Sequence, residues 1–552
     1  MSVRYAEELN SGRSSVTLQS TDRHDILGQK SAGFQLSVGA RDAECASDCP
    51  QDGFSKSSVH RLQRAIARRG RYPESWLWET EEGRGWLIRL VVATLYTFGL
   101  KRGVGLETIS EFFLRLRLTT QVGCSPSALR GVMQALETAL LETAEAWEQD
   151  GCAGGERREI IGAVDETFLE RMMLVLMDLA AGYLLLEEAA NDRTYPTWKA
   201  LVEERLKALG TGVLYVVSDR AKALIQLAEQ GLGWLSMPDF FHVVHEIVKS
   251  SSLALGQRWR RAQQELTKAK EALARRQGLL QAAPATREAR ALVEARQAEV
   301  TRWEEASHLY RGHLERLSLT LHPFHLSGST PQTSAQVEHQ LMAAVEAIEA
   351  FARGHQLPAR HDAMTKVRKQ VPALAALVDF WWQGVHQDLE PFLLLPQWRQ
   401  WVHACLLPMV YWANQVARTR CHRRKASMQA AWQEAQAAFD RHPITQRLAP
   451  HVLAEWQAWA TDRVKAFQRA SSAVEGRNGF LSQMHHNHRG LPKQRYKVWA
   501  ILHNFDCRAA DGTTPASRFF RRAFPDLFEM VLSHVEALPR PRQRSQSMAL
   551  SG

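Results

Sequence analysis

The stretch IIGAVDETFLERMMLVLMDLAAGYLLLEE, Ile160–Glu188, constrains the fold more than any other part of the chain. Three apolar runs follow one another with little between them: EIIGAVD, RMMLVLMDLA and GYLLLEEAA. The last two are separated by a tight turn at Ala181–Gly182. Runs this short, bounded by charged residues and glycine, read as strands buried in a sheet. Helix and strand then alternate. YPTWKALVEERLKAL has a helical period. GVLYVVSDRAKALIQLAEQ is a strand ending at Asp219 and then a helix, and GWLSMPDFFHVVHEI supplies a fifth short strand and another helix. Three consecutive strands joined by short turns must be antiparallel, whereas strands reached through helices are parallel. The order β-β-β-α-β-α-β-α therefore predicts a mixed sheet with helices on both faces.

That arrangement is ribonuclease-H-like, with the first strand central and the strand before Asp219 beside it and parallel to it. Asp165 and Asp219 each follow an apolar run, IIGAV and VLYVVS, near the same edge of the sheet. A single Asp at a strand end serves readily as a turn or helix cap. Two in matching positions of one supersecondary pattern point to a shared role. Two carboxylates that close raise each other's pKa, and a hard divalent cation between them, Mg²⁺ or Mn²⁺, relieves the repulsion. Asp178, Asp239 and Glu246 are second-choice ligands. His242 and His245 are three residues apart on one helix but lack the order of a zinc-protease motif, which favours packing or proximity to nucleic acid.

The remainder of the chain is helical in pattern. Residues 1–55 are rich in Ser, Gly, Asp and Gln and read as a largely disordered leader. Residues 56–150 form a helical domain in which GVGLETISEFFLRLRL and SPSALRGVMQALETALLE are joined by a short Gly-containing stretch, as in a helix-turn-helix. Ser125 is a good N-cap and Pro126 suits the first helical position. In a DNA-binding reading, Ser125, Ser127 and Arg130 stand where a recognition helix meets bases or phosphates. The same pattern also fits an ordinary helical pair. Residues 251–464 show no strand signal. They begin with two long amphipathic helices of mixed charge, a coiled-coil hairpin, and end near RTRCHRRK, a basic cluster containing Arg423 and Arg424 beside a Trp-rich segment. Such a cluster serves equally as a solvated face or as a holder of nucleic-acid backbone. Residues 465–510 return to chemistry. RASSAVEGRNGFLSQMHHNHRG is dense in Arg, Asn, His and Ser, and places Glu475 and Asn478 three residues apart on one helix face. Residues 511–552 read as a C-terminal tail.

Composition narrows the classes. The chain of 552 residues is 45% hydrophobic, enough for more than one core. Its formal net charge of +10 favours a polyanionic partner. Seven widely spaced cysteines fit a reducing compartment, and the one close pair, Cys45 and Cys49, has no second pair to complete a zinc site. The first residues have no apolar core of a signal peptide. Trp86–Leu100 is too short to span a bilayer and carries Arg89, so no membrane is expected.

AVDETF, VVSDRAKAL and SSAVEGRNGFLS, with the trailing DGTTPASRFF, resemble the three acidic blocks of a bacterial insertion-sequence transposase of the DDE type, over about residues 100–250 and 465–520. The Tyr-Arg-Glu-Lys spacing of one transposase group is absent; the block reads Glu475-Gly-Arg477-Asn478, so no subfamily is assigned. The resemblance implies an α/β ribonuclease-H-like core over 155–250 and 465–510, interrupted by the helical insertion at 251–464. It implies Asp165, Asp219 and Glu475 as catalytic residues that hold two Mg²⁺ or Mn²⁺ ions. The implied reaction cleaves transposon ends and joins their 3′-OH to target DNA. Arg220, Arg477, Asn478, His485, His486 and His488 become candidates for DNA contact. It further implies a homodimer or larger assembly on DNA, in bacterial cytoplasm at the nucleoid. Two alternatives stand beside it: a metal-dependent nuclease of the same fold without strand transfer, and a non-catalytic DNA-binding descendant.

Overall fold

The computed structural model describes His60, Gln63–Arg64, Ile66–Ala67 and residues 69–541 except 156, 278–282, 359–360 and 489–493. The expected leader, 1–55, and residues 542–552 of the expected tail lie outside the described residues. Everything below concerns the compact unit that begins at Ala67.

Five strands carry the fold: β1 (Arg158–Leu169), β2 (Arg171–Asp178), β3 (Tyr183–Ala190), β4 (Thr211–Ser218) and β5 (Leu235–Pro238). Their order across the sheet is β3-β2-β1-β4-β5. β1 pairs antiparallel with β2 and parallel with β4. β2 pairs antiparallel with β3, and β4 parallel with β5. The main helices, in chain order, are α1 (Glu81–Thr94), α2 (Leu106–Arg115), α3 (Pro126–Cys152), α4 (Tyr195–Leu209), α5 (Phe240–Gln277), α6 (Ala283–Thr320), α7 (Ser334–Gly354), α8 (His361–Leu389), α9 (Leu407–Arg418), α10 (His422–Arg441), α11 (Pro450–Lys465), α12 (Ser472–His488), α13 (Arg495–Phe505), α14 (Pro515–Phe519) and α15 (Leu527–Ser533). Among the described residues no helix is long and apolar enough to cross a membrane.

Alternation along the strands decides what lies on each face. Ile161 and Ala163 of β1, with Tyr215 and Val217 of β4, enter a core shared with α5 and the helices of residues 251–464. Ile160 and Val164 of β1, with Val216 of β4, enter a second core built from α1 to α4 and α13 to α15. The strands are apolar on both sides because both sides are covered.

Two expectations change. The helix-turn-helix is not formed as a free module. α2 and α3 are joined by the whole stretch Leu116–Ser125, including a 3₁₀ turn at Leu118–Thr120, where a helix-turn-helix uses a few residues. α3 spends its apolar stripe (Leu129, Val132, Met133, Leu136, Leu140) on the core beneath the sheet. The stretch before it is covered: the Gly123 N–H donates to the Pro539 carbonyl at 2.6 Å, and a Cβ at Gly123 would stand 2.7 Å from the Arg540 carbonyl oxygen, so only glycine fits. The expected tail from residue 511 is also part of the fold. Phe519 stacks on Tyr183 of β3 at 4.4 Å, and Glu529 of α15 accepts two hydrogen bonds from Arg89 of α1, at 2.8 and 2.6 Å.

α12 is tied to the sheet by a buried ion pair. Arg477 donates through Nε and Nη2 to the two carboxylate oxygens of Glu187 on β3, at 2.5 and 2.7 Å, and both side chains are buried. Its guanidinium also lies over the Phe480 ring at 4.7 Å. Removing one partner leaves a buried charge uncompensated, which is far costlier than an exposed pair is worth. Arg477→Met should therefore destabilise the protein by about 3–5 kcal/mol in urea unfolding, and adding Glu187→Met should restore much of that. A loss below about 1 kcal/mol, the scale of exposed pairs, would show that the pair does not lock the helix.

A candidate carboxylate site at the edge of the central strands

The parallel register sets the site. Ala163 of β1 pairs with Val217 of β4. Two residues further along each chain come Asp165 and Asp219, on the same face as the pair before them. β1 does not end at Asp165, as its sequence suggested. It runs on to Leu169 because its hairpin with β2 continues, with Asp165 opposite Val175. Asp165 thus lies inside the strand, just beyond the last pairing with β4. Asp219 lies directly after β4, and its Oδ1 accepts the N–H of Ala221 at 2.8 Å. Arg220 between them has φ +63°, a left-handed backbone unusual for a side chain of this size.

α12 brings the third carboxylate. Glu475 sits in its first turn, where the helix dipole favours an anion. One turn on, Asn478 donates from Nδ2 to Asp165 Oδ2 at 2.8 Å, across 313 residues of sequence. Its Oδ1 is buried without a hydrogen-bond partner. His242 of α5 links the group to its surroundings. Its Nδ1 is 2.8 Å from Asp239 Oδ2, and its Nε2 is 3.4 Å from Glu475 Oε1. Asp239 Oδ2 also accepts from the Ser471 hydroxyl, and Asp239 Oδ1 from the Phe241 N–H at 2.8 Å.

The electrostatics follow. Burial pushes the Asp165 carboxyl up to about 6. The backbone N–H of Glu166 opposes that rise, while the charges of Glu475 and Asp219 add to it. His242 is raised, first by its hydrogen bond to Asp239, with Glu475 and Asp165 adding to the effect. Asp219 and Glu475 are thus each near enough to act on Asp165.

The other sequence candidates sort by their surroundings. Asp178 accepts the N–H groups of Ala180 and Ala181 at 3.1 and 3.0 Å, so it caps the β2–β3 turn and is no ligand of the group. Asp239 supports His242, and Glu246 pairs with Lys249 at 3.5 Å. His245 stacks against Phe241 with ring centroids 6.0 Å apart. Arg477, expected at DNA, is buried against Glu187 and has no free face for a phosphate. Asn478 faces Asp165 instead of solvent. Arg220 donates to the Ser236 carbonyl at 3.0 Å and lies 3.6 Å from Glu229. His485 Nε2 is 3.4 Å from Glu170, and His486 is exposed with Nδ1 2.7 Å from the Ser482 carbonyl. The side chain of His488 lies outside the described residues. Ser125 caps α3 through the Ala128 N–H at 3.3 Å. Ser127 contacts Ser125 at 3.3 Å, and Arg130 is exposed. Arg423 is exposed and 3.8 Å from Glu315, and Arg424 lies in the first turn of α10.

Sequence reading missed the Asp239–His242 pair as a support for Glu475. The signal was present: an Asp directly after a strand, with a His three residues on. It also missed Glu187 as a partner, although an acid at the end of an apolar run, in LLLEE, marks a buried charge.

As they stand, no three His, Cys, Asp or Glu groups among the described residues close around an ion. The donors nevertheless suit a hard divalent cation. They are Asp165 with the charges of Asp219 and Glu475 acting on it, and the unpaired Asn478 carbonyl oxygen beside them.

A family model described as a family of unknown function (DUF6399) matches residues 402–547, well under half of the chain. The matched segment contains Glu475 and Asn478 but neither aspartate. No curated protein matches the chain.

The raised Asp165 pKa has a thermodynamic sign. The folded carboxyl holds its proton more tightly than the unfolded one, whose pKa is about 3.9. Stability therefore falls as pH rises between about 4 and about 6, and the full cost of the charge is present above that window. Asp165→Asn, which still accepts from Asn478, should stabilise the protein by about 1–3 kcal/mol at pH 8 and leave it unchanged near pH 4. Chemical unfolding at the two pH values checks this. Equal effects at both would mean that Asp165 carries no such strain.

Proposed function

We propose that this chain is a metal-dependent polynucleotidyl enzyme of the DDE transposase type, built on a ribonuclease-H-like core. On this reading it cleaves DNA at transposon ends and joins the resulting 3′-OH to target DNA. One observation carries the proposal. Asp219 and Glu475, distant from Asp165 in sequence, both act electrostatically on Asp165 at the edge of β1 and β4, and Asn478 is hydrogen-bonded to it. The strand order and directions, with β1 central and β4 parallel beside it, support the same reading.

Asp165, Asp219 and Glu475 would hold Mg²⁺ or Mn²⁺. When bound, two such ions supply activation of the attacking oxygen and charge stabilisation of the leaving oxygen in an in-line displacement at phosphorus. The protein's own part is preorganisation. Asn478 fixes the Asp165 carboxylate, so it loses little freedom on engaging a ligand. His242, held by Asp239 and through it by Ser471, keeps Glu475 turned toward the group. The left-handed backbone at Arg220, fastened to the Ser236 carbonyl, holds the turn that carries Asp219. Cleavage and joining differ only in whether water or a 3′-OH attacks, so one set of carboxylates serves both. The excess of cations suits a DNA substrate.

The test is cleavage of DNA carrying the gene's own flanks, with Mg²⁺ or Mn²⁺. The wild type should nick or cut, and Asp219→Ala and Glu475→Gln should each lose at least about a hundredfold in rate, the scale of a lost transition-state contact, with DNA affinity retained. Cleavage undiminished in both variants would remove the site assignment. Cutting without joining would leave a nuclease.

A further inference from the structure

We propose that Arg418, Arg424 and Arg469 form a clamp for nucleic-acid backbone phosphate on the insertion side of the carboxylate site. Buried charges in proteins are almost always paired with an opposite charge, and the part-buried Arg469 and Arg424 are not, with the exposed Arg418 adding a third cation beside them. Among the described residues, none of the three lies within ion-pair distance of a carboxylate; their neighbour Arg423 takes Glu315 at 3.8 Å. Arg469 is part-buried. Its Nη1 donates to the carbonyls of Ser318 and Leu321, at 3.0 and 2.8 Å, and its guanidinium lies over the Phe240 ring at 5.2 Å. These neutral partners hold the group without cancelling its charge. Burial lowers its pKa to about 10, and the positive charges of Arg424 and Arg418 push the same way. Arg418 is exposed as a residue, with its guanidinium turned back onto the chain. Its Nη2 donates to Gln468 Oε1 at 3.3 Å, and burial lowers its pKa too.

The helix beside them makes the imbalance worse. α10 starts His422-Arg423-Arg424-Lys425, with no acidic residue in its first turn. Four basic residues thus crowd the positive end of a long helix, the arrangement that the helix dipole disfavours and that an anion would relieve. Guanidinium forks match phosphate oxygens in geometry and charge.

Connectivity places this cluster beside the carboxylates and argues for a polymer. The Arg469 carbonyl accepts the Phe240 N–H at 3.0 Å, at the start of the helix that carries His242. Two residues after Arg469, the Ser471 hydroxyl bonds Asp239. One short strap therefore joins the cations to the support of Glu475. The exposed Arg423 and Lys425 continue the basic surface outward, as a polymer with successive phosphates would use. The identity of the occupant rests on the proposed nucleic-acid chemistry; the unpaired cations do not.

The experiment is binding of the full-length protein to a fluorescent DNA duplex in EDTA, over a series of salt concentrations, for the wild type, Arg418→Gln and Arg424→Gln. Each variant should weaken binding and flatten the plot of log affinity against log salt by about 0.9, one phosphate contact. Thermal melting without DNA should show no loss of stability, because each change removes an uncompensated charge. Should Arg418→Gln fail to fold, Arg424→Gln carries the test alone. An unchanged salt slope in a folded variant overturns the clamp. So does stabilisation of the wild type by inorganic phosphate with the slope unaltered, which would mark a small structural anion. Because metal is absent, a wild type that shows the predicted slopes yet never cuts DNA in Mg²⁺ would sink the proposed function and leave the clamp standing.

Discussion

Ala163 pairs with Val217, and from that one register the candidate site follows. A parallel neighbour advances in step, so the aspartates two residues beyond must emerge together on one face. Neither carboxylate needs a loop to place it. Both belong to, or directly follow, strands buried on both sides. Burying an acid at such a point is unfavourable, and the neighbouring charges of Glu475 and Asp219 add to the rise of Asp165 to about 6. A fold that keeps this conflict in its central strands gains something from it elsewhere, and relief by a cation is the simplest gain.

The third acid depends on a different device. α12 reaches the sheet only after the long helical excursion, and three contacts fix it there: Asn478 to Asp165, Arg477 to Glu187, and Ser471 to Asp239. These bonds go to β1, to β3 and to the residue after β5, so the helix is located against the whole width of the sheet. Its apolar side divides in the same way. Val474 enters the core shared with the insertion, and Leu481 and Met484 enter the opposite one. The insertion is therefore a structural continuation of one face of the sheet, and its Trp-rich helices serve chiefly as packing, with Trp401 and Trp412 fully buried.

Much of the sheet was legible because strands and helices write different periods. The runs at 160–165, 171–180 and 182–190 and the strands before Asp219 and Asp239 all stand where their apolar pattern put them, within a few residues. The convergence of Asp165 with Asp219 was legible for the same reason, since a parallel register is a local rule. What sequence did not show was what each helix face meets. The spacing in EGRNGF sets Glu475 and Asn478 on one face and Arg477 on another, but it does not say that Asn478 holds Asp165 or that Arg477 is buried against Glu187. Which side of a helix is covered depends on elements hundreds of residues away. The short turn expected before Ser125 was not legible for the same reason: an N-cap and an amphipathic stripe look alike whether the link before them is a tight turn or the long stretch Leu116–Ser125. The end of β1 was misjudged because its apolar run stops before Asp165, while the hairpin with β2 carries Glu166 and Thr167 onward as strand.

The central claim is that Asp165, Asp219 and Glu475 form one pocket for a hard divalent cation. Titration of Mn²⁺ into the DNA-free protein, followed by electron paramagnetic resonance, reads this without any reaction. The account predicts binding by the wild type that weakens by at least about tenfold, the scale of even an outer-sphere loss, in each of Asp219→Asn and Glu475→Gln. Binding that responds to Asp219→Asn but is indifferent to Glu475→Gln in a folded protein would contradict it, because the helix carrying Glu475 would then stand beside the site without belonging to it.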